Sequence, residues 1–245
     1  MIYLIGQFIP SVGDVVDCGS NMGFYPLLEK KLSGGHGRQI LCIEPDPRNI
    51  TVLRKNISVF GDESFKIISG AVSNRVGVMS LNVSRESNLN FIAVDGDSNS
   101  PDCITVDTFT LDSLIMRYGI NPTFLRMDIE GHEVEVFNGA REWAISSIEG
   151  TTILFETHSP MYKTSYALYQ SLCPFKENGF AVKCIVSAGG RGSEVRNRWN
   201  LLDGDKFKSD GFDREIFWNV NFETACEIAS AKPKLSRYML LVKGA

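Results

Sequence analysis

Residues 12–18 form an apolar run that ends in Val15-Val16-Asp17-Cys18 and is closed by Gly19-Ser20-Asn21-Met22-Gly23. No other segment constrains the fold as strongly. A buried strand that ends beside an acid and turns through two glycines into an amphipathic segment opens a strand–helix unit. The glycines let the backbone turn sharply and approach a ligand closely. The N-terminus of the following helix offers unpaired N–H groups to a carboxylate. The spacing of Gly19 and Gly23 departs from G-x-G-x-x-G. A carboxylate at Asp17 suits a cationic amino group and repels a pyrophosphate. Taken alone, the two glycines also read as a simple tight turn.

The same rhythm continues along the chain. Residues 24–32 read as a helix ended by Ser33-Gly34-Gly35, and 39–43 as a second strand broken by Glu44-Pro45-Asp46-Pro47. Residues 48–60 place Ile50, Val52, Leu53, Ile57 and Phe60 at roughly helical spacing, and 65–68 read as a third strand. Strand and helix in alternation predict a parallel sheet with right-handed crossovers. Glu44 stands after the second strand, where ribose hydroxyls need a bidentate acceptor. Further on, 77–83 and 104–109 alternate as a β-ribbon around a polar stretch, 84–100, that reads as a mobile loop. Then come a helix at 111–118, a strand at 124–127, a helix at 134–144, a strand at 152–155 and a helix at 166–178. Two late strands, 180–187 and 237–242, flank 187–213, which is rich in Gly, Arg, Asn and Asp and has little periodicity. No repeat or linker divides the chain, so 1–245 is expected to be one domain. With so little chain before the first strand, a domain cut from a longer protein is equally compatible.

Composition narrows the function. A net charge of −4 argues against general binding to nucleic-acid phosphates. The opening Met1-Ile2-Tyr3-Leu4-Ile5 has no basic flank and is too short an apolar run for a signal peptide or membrane span. Six scattered cysteines show no CxxC and no metal-ligand spacing, which points to a reducing, cytoplasmic setting.

Several strings occur in an order that resembles the FkbM-type methyltransferases. They are Asp17-Cys18-Gly19-Ser20-Asn21-Met22-Gly23, Ile43-Glu44-Pro45-Asp46-Pro47, Gly70-Ala71-Val72-Ser73, Thr110-Leu111-Asp112-Ser113-Leu114 and Asp128-Ile129-Glu130-Gly131-His132-Glu133. Phe137-Asn138-Gly139-Ala140 and Phe155-Glu156-Thr157-His158 extend the likeness, which covers roughly 12–158. The resemblance implies a Rossmann-like class I methyltransferase fold, α/β, with a seven-stranded, mostly parallel sheet and helices on both faces. It implies S-adenosylmethionine as donor and O-methylation of a sugar or other hydroxyl. By the same resemblance Asp17, Gly19, Asn21 and Gly23 surround the methionine part of the donor. Glu44 holds the ribose, Pro45 and Asp46 lie beside the adenine, and Ala71 and Val72 contact it, unless those two are plain core. The match loosens after His158, so the acceptor is expected only as a class: a sugar, glycan or nucleotide sugar.

Methyl transfer from a sulfonium is an in-line displacement, and a sugar hydroxyl benefits from a base within hydrogen-bond range. Asp128, Glu130 and His132 follow the fourth strand and Glu156 and His158 the fifth, and these are two of the chain's three histidines. In doubly wound sheets, reacting groups gather at such strand ends. Asp128, Glu130, His158 and Glu156 are therefore the catalytic candidates, with His158 as base and Glu156 orienting it. The plainer roles are helix capping for the two acids after the fourth strand and a solvent-facing His132. The same acids could hold magnesium, but the motif gives no ligand geometry, and no metal is expected. Ala188-Gly189-Gly190-Arg191-Gly192, continuing to Arg196, Arg198 and Trp199, is either a solvated hairpin loop or an acceptor contact. Rival functions are a non-catalytic donor-binding module, a nicotinamide-dependent oxidoreductase, and a methyltransferase acting on a small lipid, polyketide or protein side chain.

Overall fold

The computed structural model describes residues 1–34, 37–84, 91–92 and 103–244. In chain order the elements are α1 (Ile2–Phe8), β1 (Asp14–Cys18), α2 (Phe24–Ser33), β2 (Ile40–Glu44), α3 (Pro47–Phe60), β3 (Phe65–Ser69), β4 (Ala71–Val72), β5 (Gly77–Asn82), β6 (Phe91–Ile92), β7 (Cys103–Phe109) and α4 (Leu111–Tyr118). They continue with β8 (Pro122–Met127), α5 (Glu133–Asn138), α6 (Arg141–Ser146), β9 (Thr152–Glu156), a 3-10 turn (Ser159–Met161), α7 (Ala167–Glu177), β10 (Phe180–Ser187), α8 (Gly192–Trp199), β11 (Asp205–Ser209), β12 (Phe212–Trp218), α9 (Phe222–Ser230) and β13 (Ser236–Lys243).

The main sheet runs β3-β2-β1-β8-β9-β13-β10-β12-β11, nine strands rather than the seven expected. β3, β2, β1, β8 and β9 are parallel; every pairing from β9 outward through β13, β10, β12 and β11 is antiparallel. "Mostly parallel" is therefore corrected to a parallel half and an antiparallel half. Of the added strands, β11 falls inside 187–213, where the sequence shows little pattern, and β12 begins at its end. β11 is exposed along nearly its whole length, so it has no core face to impose alternation. Lys206 and Lys208 on it suit a sheet edge. α8, in the same region, buries only Gly192 and Val195.

β1 carries the logic of the core in its alternation. Val16 and Cys18 enter one apolar cluster, shared with α4, α5, α6, α7 and α9; Val15 enters the other, shared with α1 and α3. Helices on both faces are thus observed. Local signals set most ends: Asp46 caps α3 by accepting from the Arg48 N–H at 2.8 Å, with Pro47 at the first helical position. Thr110 caps α4 through the Ser113 N–H at 3.0 Å. The helix expected over 134–144 is two, α5 and α6. They part at Gly139, where an added Cβ would stand 2.2 Å from the Ser73 carbonyl oxygen, so the loop after β4 occupies the space a continuous helix would need. A smaller sheet, β4-β7-β5-β6, contains the expected ribbon as the antiparallel β5–β7 pair. Of the stretch expected as a mobile loop, Phe91–Ile92 forms β6, while 85–90 and 93–100 lie outside the described residues. No described helix is long and apolar enough to cross a membrane.

One buried acid sits oddly in this core. Glu29 on α2 is fully buried, and both its carboxylate oxygens lack a hydrogen-bond partner among the described residues. Burial, reinforced by the nearby Asp17 charge, raises its pKa well above the ordinary carboxylate value. The folded chain therefore keeps a proton that the unfolded chain releases above about pH 4.3. This contribution is complete below that pH and is lost as pH rises toward the folded pKa, at about 1.4 kcal/mol per pH unit. Glu29→Gln should flatten the fall in stability as pH rises above about 4.3. Denaturant midpoints measured across that range check it; an unchanged slope would show that Glu29 does not bind the proton.

Candidate active site

The parallel strands reverse direction of travel at β1, which lies between β2 and β8. The crevice at the carboxyl ends of such strands is where open α/β sheets place ligands. The turn after β1 is held tightly there. Gly19 has φ +80°, and a Cβ on it would stand 2.1 Å from the Asp128 carbonyl oxygen, so only glycine lets the loops after β1 and β8 meet. The Gly19 N–H donates to the Ile43 carbonyl at 2.9 Å. Asn21 is also left-handed, at φ 49°, and its N–H donates to Glu44 Oε2 at 2.8 Å. Gly23 begins α2 at φ 95° with no side-chain cap.

Glu44 ends β2 nearly buried. Its Oε1 accepts from the Asp46 N–H at 3.0 Å and from Asn49 Nδ2 at 3.1 Å. Burial raises its pKa, and these hydrogen bonds oppose the rise. Three donors fix the carboxylate, and Oε2, which accepts only one of them, keeps acceptor capacity for a further hydroxyl. It borders a cleft of about 590 Å³ whose lining includes Gly19, Asn21, Pro45, Ala71, Val72 and Leu81. An acid at one wall and an apolar slot at the other fit a ribose and its base. Ala71 and Val72 are both core and cleft: each is buried, and each presents surface to the slot. Asp46, next to Pro45, is fully buried, caps α3 and pairs with Arg48 Nη2 at 2.7 Å.

Asp17 is paired inside the protein. Its side chain is 0% exposed, and Oδ1 accepts from Arg126 Nη1 at 2.8 Å. The two residues are register partners on the paired strands β1 and β8. Arg126, likewise buried, also donates to the Gly19 carbonyl at 3.1 Å and to Asp128 Oδ2 at 3.0 Å, and its guanidinium lies 4.0 Å from the Tyr25 ring centre. Burial alone would lower the pKa of Arg126; Asp17, Asp128 and Glu29 together raise it. Asp17 Oδ2 is buried without a hydrogen-bond partner among the described residues. Besides Glu44, the acids that line the first cleft are Asp128 and Glu130.

The reacting cluster gathers on the far side of Asp128. A second cleft, of about 1120 Å³, is bordered by Asn21, Arg126, Asp128, Glu130, Glu156 and His158. All four catalytic candidates are thus brought together. His158 Nδ1 lies 2.8 Å from Glu133 Oε1; its Nε2 lies 3.3 Å from Glu130 Oε2 and 3.5 Å from Glu156 Oε1. Burial would lower the His158 pKa, but Glu133 and Glu156 outweigh it and the net shift is upward. The orienting role expected of Glu156 passes to Glu133, which is fully buried at the start of α5 and also accepts from the Gly131 N–H at 3.2 Å. Glu156 is instead clamped by Lys234 at 3.0 Å and Arg237 at 2.9 Å. Burial and Asp128 raise its pKa against those two cations. Glu130 is held at φ 51°, a left-handed conformation that costs a non-glycine residue about 1–3 kcal/mol. His132 turns its Nε2 to Ser73 Oγ at 2.9 Å and, with its pKa lowered by burial, borders the first cleft.

Ligand atoms of Asp128, Glu156 and His158 lie within 4.8 Å of one another, close enough for a cation to bridge. Arg126, Lys234 and Arg237 already answer the two carboxylates. Arg126 and Glu133 carry no role in the sequence-based reading. An arginine inside the apolar run Phe124-Leu125-Arg126-Met127 was the available signal, since a buried charge needs partners.

Together these features define a Rossmann-like α/β core with a cleft at the switch point and a cluster of carboxylates around a histidine beside it. The chain belongs to the methyltransferase FkbM domain family, whose pattern it matches over residues 17–182. Among solved structures it is similar to a methyltransferase FkbM from Methylobacillus flagellatus KT, with TM-score 0.53 and 16% identity over 85% of this chain. The match spans 44% of that protein's length. An O-methyltransferase from Bacillus cereus in complex with SAH is more distant, with TM-score 0.48 and 12% identity over 99% of this chain and 78% of that one. No curated protein matches the sequence significantly.

Proposed function

We propose that this chain transfers the methyl group of S-adenosylmethionine to a hydroxyl of a sugar or glycan. One observation supports this most: a cleft walled by Glu44, Pro45, Ala71 and Val72 opens beside a histidine held by a buried carboxylate. In this reading Glu44 holds the ribose hydroxyls, Pro45, Ala71 and Val72 flank the base, and Asn21, Gly19 and Asp128 border the amino-acid end. When bound, the donor supplies an electrophilic methyl on a positive sulfur. The protein positions the acceptor and moves its proton. Glu133 holds Nδ1–H of His158, which leaves Nε2 to accept the hydroxyl proton. Glu130 and Glu156, near Nε2, stabilise the imidazolium that results. Cys18, Cys42, Cys173, Cys184 and Cys226 are free thiols, which supports a cytoplasmic setting.

S-adenosylhomocysteine should bind in calorimetry and NADH should not, because Asp128 and Glu130 repel a pyrophosphate. Tight NADH binding with no response to S-adenosylhomocysteine would overturn the reading. Glu44→Ala should weaken S-adenosylhomocysteine by about 1–3 kcal/mol, the cost of losing charge-assisted hydrogen bonds. Unchanged affinity in the folded variant removes Glu44 from the ribose role. Mass spectrometry of glycans and nucleotide sugars incubated with labelled donor identifies the acceptor. Labelling confined to lipid, polyketide or protein would move the assignment to that class.

A further inference from the structure

A third groove, of about 1670 Å³, lies between the start of α7, the end of α8 and α9, and takes no part in the chemistry described so far. Its lining combines aromatic rings with fixed polar groups. Tyr166 is 68% exposed at the start of α7. Trp199 donates from Nε1 to Glu227 Oε2 at 2.9 Å, and the Arg198 guanidinium lies 4.6 Å from the Trp199 ring centre. Lys232 reaches over to donate to the Tyr162 carbonyl at 3.3 Å. Ser230, only 3% exposed, borders the groove, and its hydroxyl has no hydrogen-bond partner among the described residues.

The groove lies next to a cleft that borders the histidine cluster. Lys163 borders both; the cleft, of about 540 Å³, extends to Gly131, His132 and Glu130. The wall between them is the chain just after His158: the Tyr162 hydroxyl accepts from the His158 N–H at 3.2 Å, and Lys232 grips the same residue's carbonyl. Aromatic rings with a polar rim suit a sugar, which offers apolar C–H faces to stack and hydroxyls to bond.

Building on the glycan reading, we propose that this groove is an acceptor subsite that holds a sugar unit beyond the one being methylated. Tyr166 supplies the stacking face, Trp199 under Arg198 lines the groove, and Glu227, Arg198 and Lys163 bond the hydroxyls. The subsite sets which glycans dock and leaves the methyl transfer itself to the His158 cluster.

The test titrates the full chain, saturated with S-adenosylhomocysteine, with maltotetraose, chitotetraose and tetragalacturonate, reading tryptophan fluorescence and heat. At least one tetrasaccharide should bind at millimolar concentration. Tyr166→Ala and Arg198→Ala should each weaken it by about 3- to 10-fold while S-adenosylhomocysteine affinity stays unchanged. Tyr166 is exposed enough that its truncation should not unfold the chain, and circular dichroism verifies this. Failure of all three saccharides to bind, or binding indifferent to both substitutions, overturns the subsite. Absence of S-adenosylhomocysteine binding by the wild type overturns the methyltransferase reading instead, and a saccharide affinity lost in Tyr166→Ala would support the groove even then.

Discussion

His158→Ala should lower turnover by roughly 100- to 10,000-fold while leaving S-adenosylhomocysteine affinity nearly unchanged. The histidine is at the centre of a cluster that can take a proton: its Nδ1 is tied to Glu133 at 2.8 Å, and Nε2 faces the cleft. A base must be deprotonated to act. Burial would lower the His158 pKa, but the carboxylates of Glu133 and Glu156 outweigh it and raise the pKa. Activity should therefore fall as pH drops, with the fall beginning at a higher pH than the ordinary imidazole value of about 6.5 would give. Glu133 is a positioning residue. Glu133→Gln keeps the shape and removes the charge, so kcat should fall and the acid limb should move to lower pH, a shift that a purely structural role would not produce. Full activity in His158→Ala would reject the base. Loss confined to Asp128→Asn would move the role to that carboxylate, and inhibition by a chelator would point to a cation held by Asp128, Glu156 and His158.

The second large effect is on stability, and it separates Asp17 from the ligand. Asp17→Ala should destabilise the fold by about 3–5 kcal/mol, the cost of stripping one partner from a buried ion pair. At this chain length each kcal/mol is worth about 2–4 °C in melting temperature. The reason is that Arg126 is buried with Asp17 as its closest carboxylate, at 2.8 Å. Asp17→Leu combined with Arg126→Met should recover much of the loss, because replacing both members of a buried pair with apolar groups is often neutral. Denaturant melts of the two single variants and the double variant give the coupling directly. If Asp17→Ala instead kept its stability and lost S-adenosylhomocysteine binding, the carboxylate would be a ligand contact after all.

That pair marks the boundary between what sequence and tertiary structure each decide. The local units were legible. β1, α2, β2 and α3 follow from hydrophobic period, from the Gly19 and Gly23 turn, and from the Asp46-Pro47 helix start, all of which act over a few residues. Glu44 was legible because its place after β2 depends on that same short segment, and Asp128, Glu130, Glu156 and His158 because parallel strands bring their carboxyl ends to one edge. The split between α5 and α6 was not, since the loop that occupies the space at Gly139 comes from Ser73. Nor was β11, because an edge strand packed on one neighbour carries little hydrophobic pattern. The partners of the charges were the least visible. Asp17 meets Arg126 only because β1 and β8 pair in the register that sets them side by side, and His158 meets Glu133 only because α5 packs near the end of β9. Residue types and short-range spacing determined which groups would stand at the site. Burial and long-range pairing decided which of them face the cleft, because a charge removed from water must find its opposite wherever the packed chain has placed it.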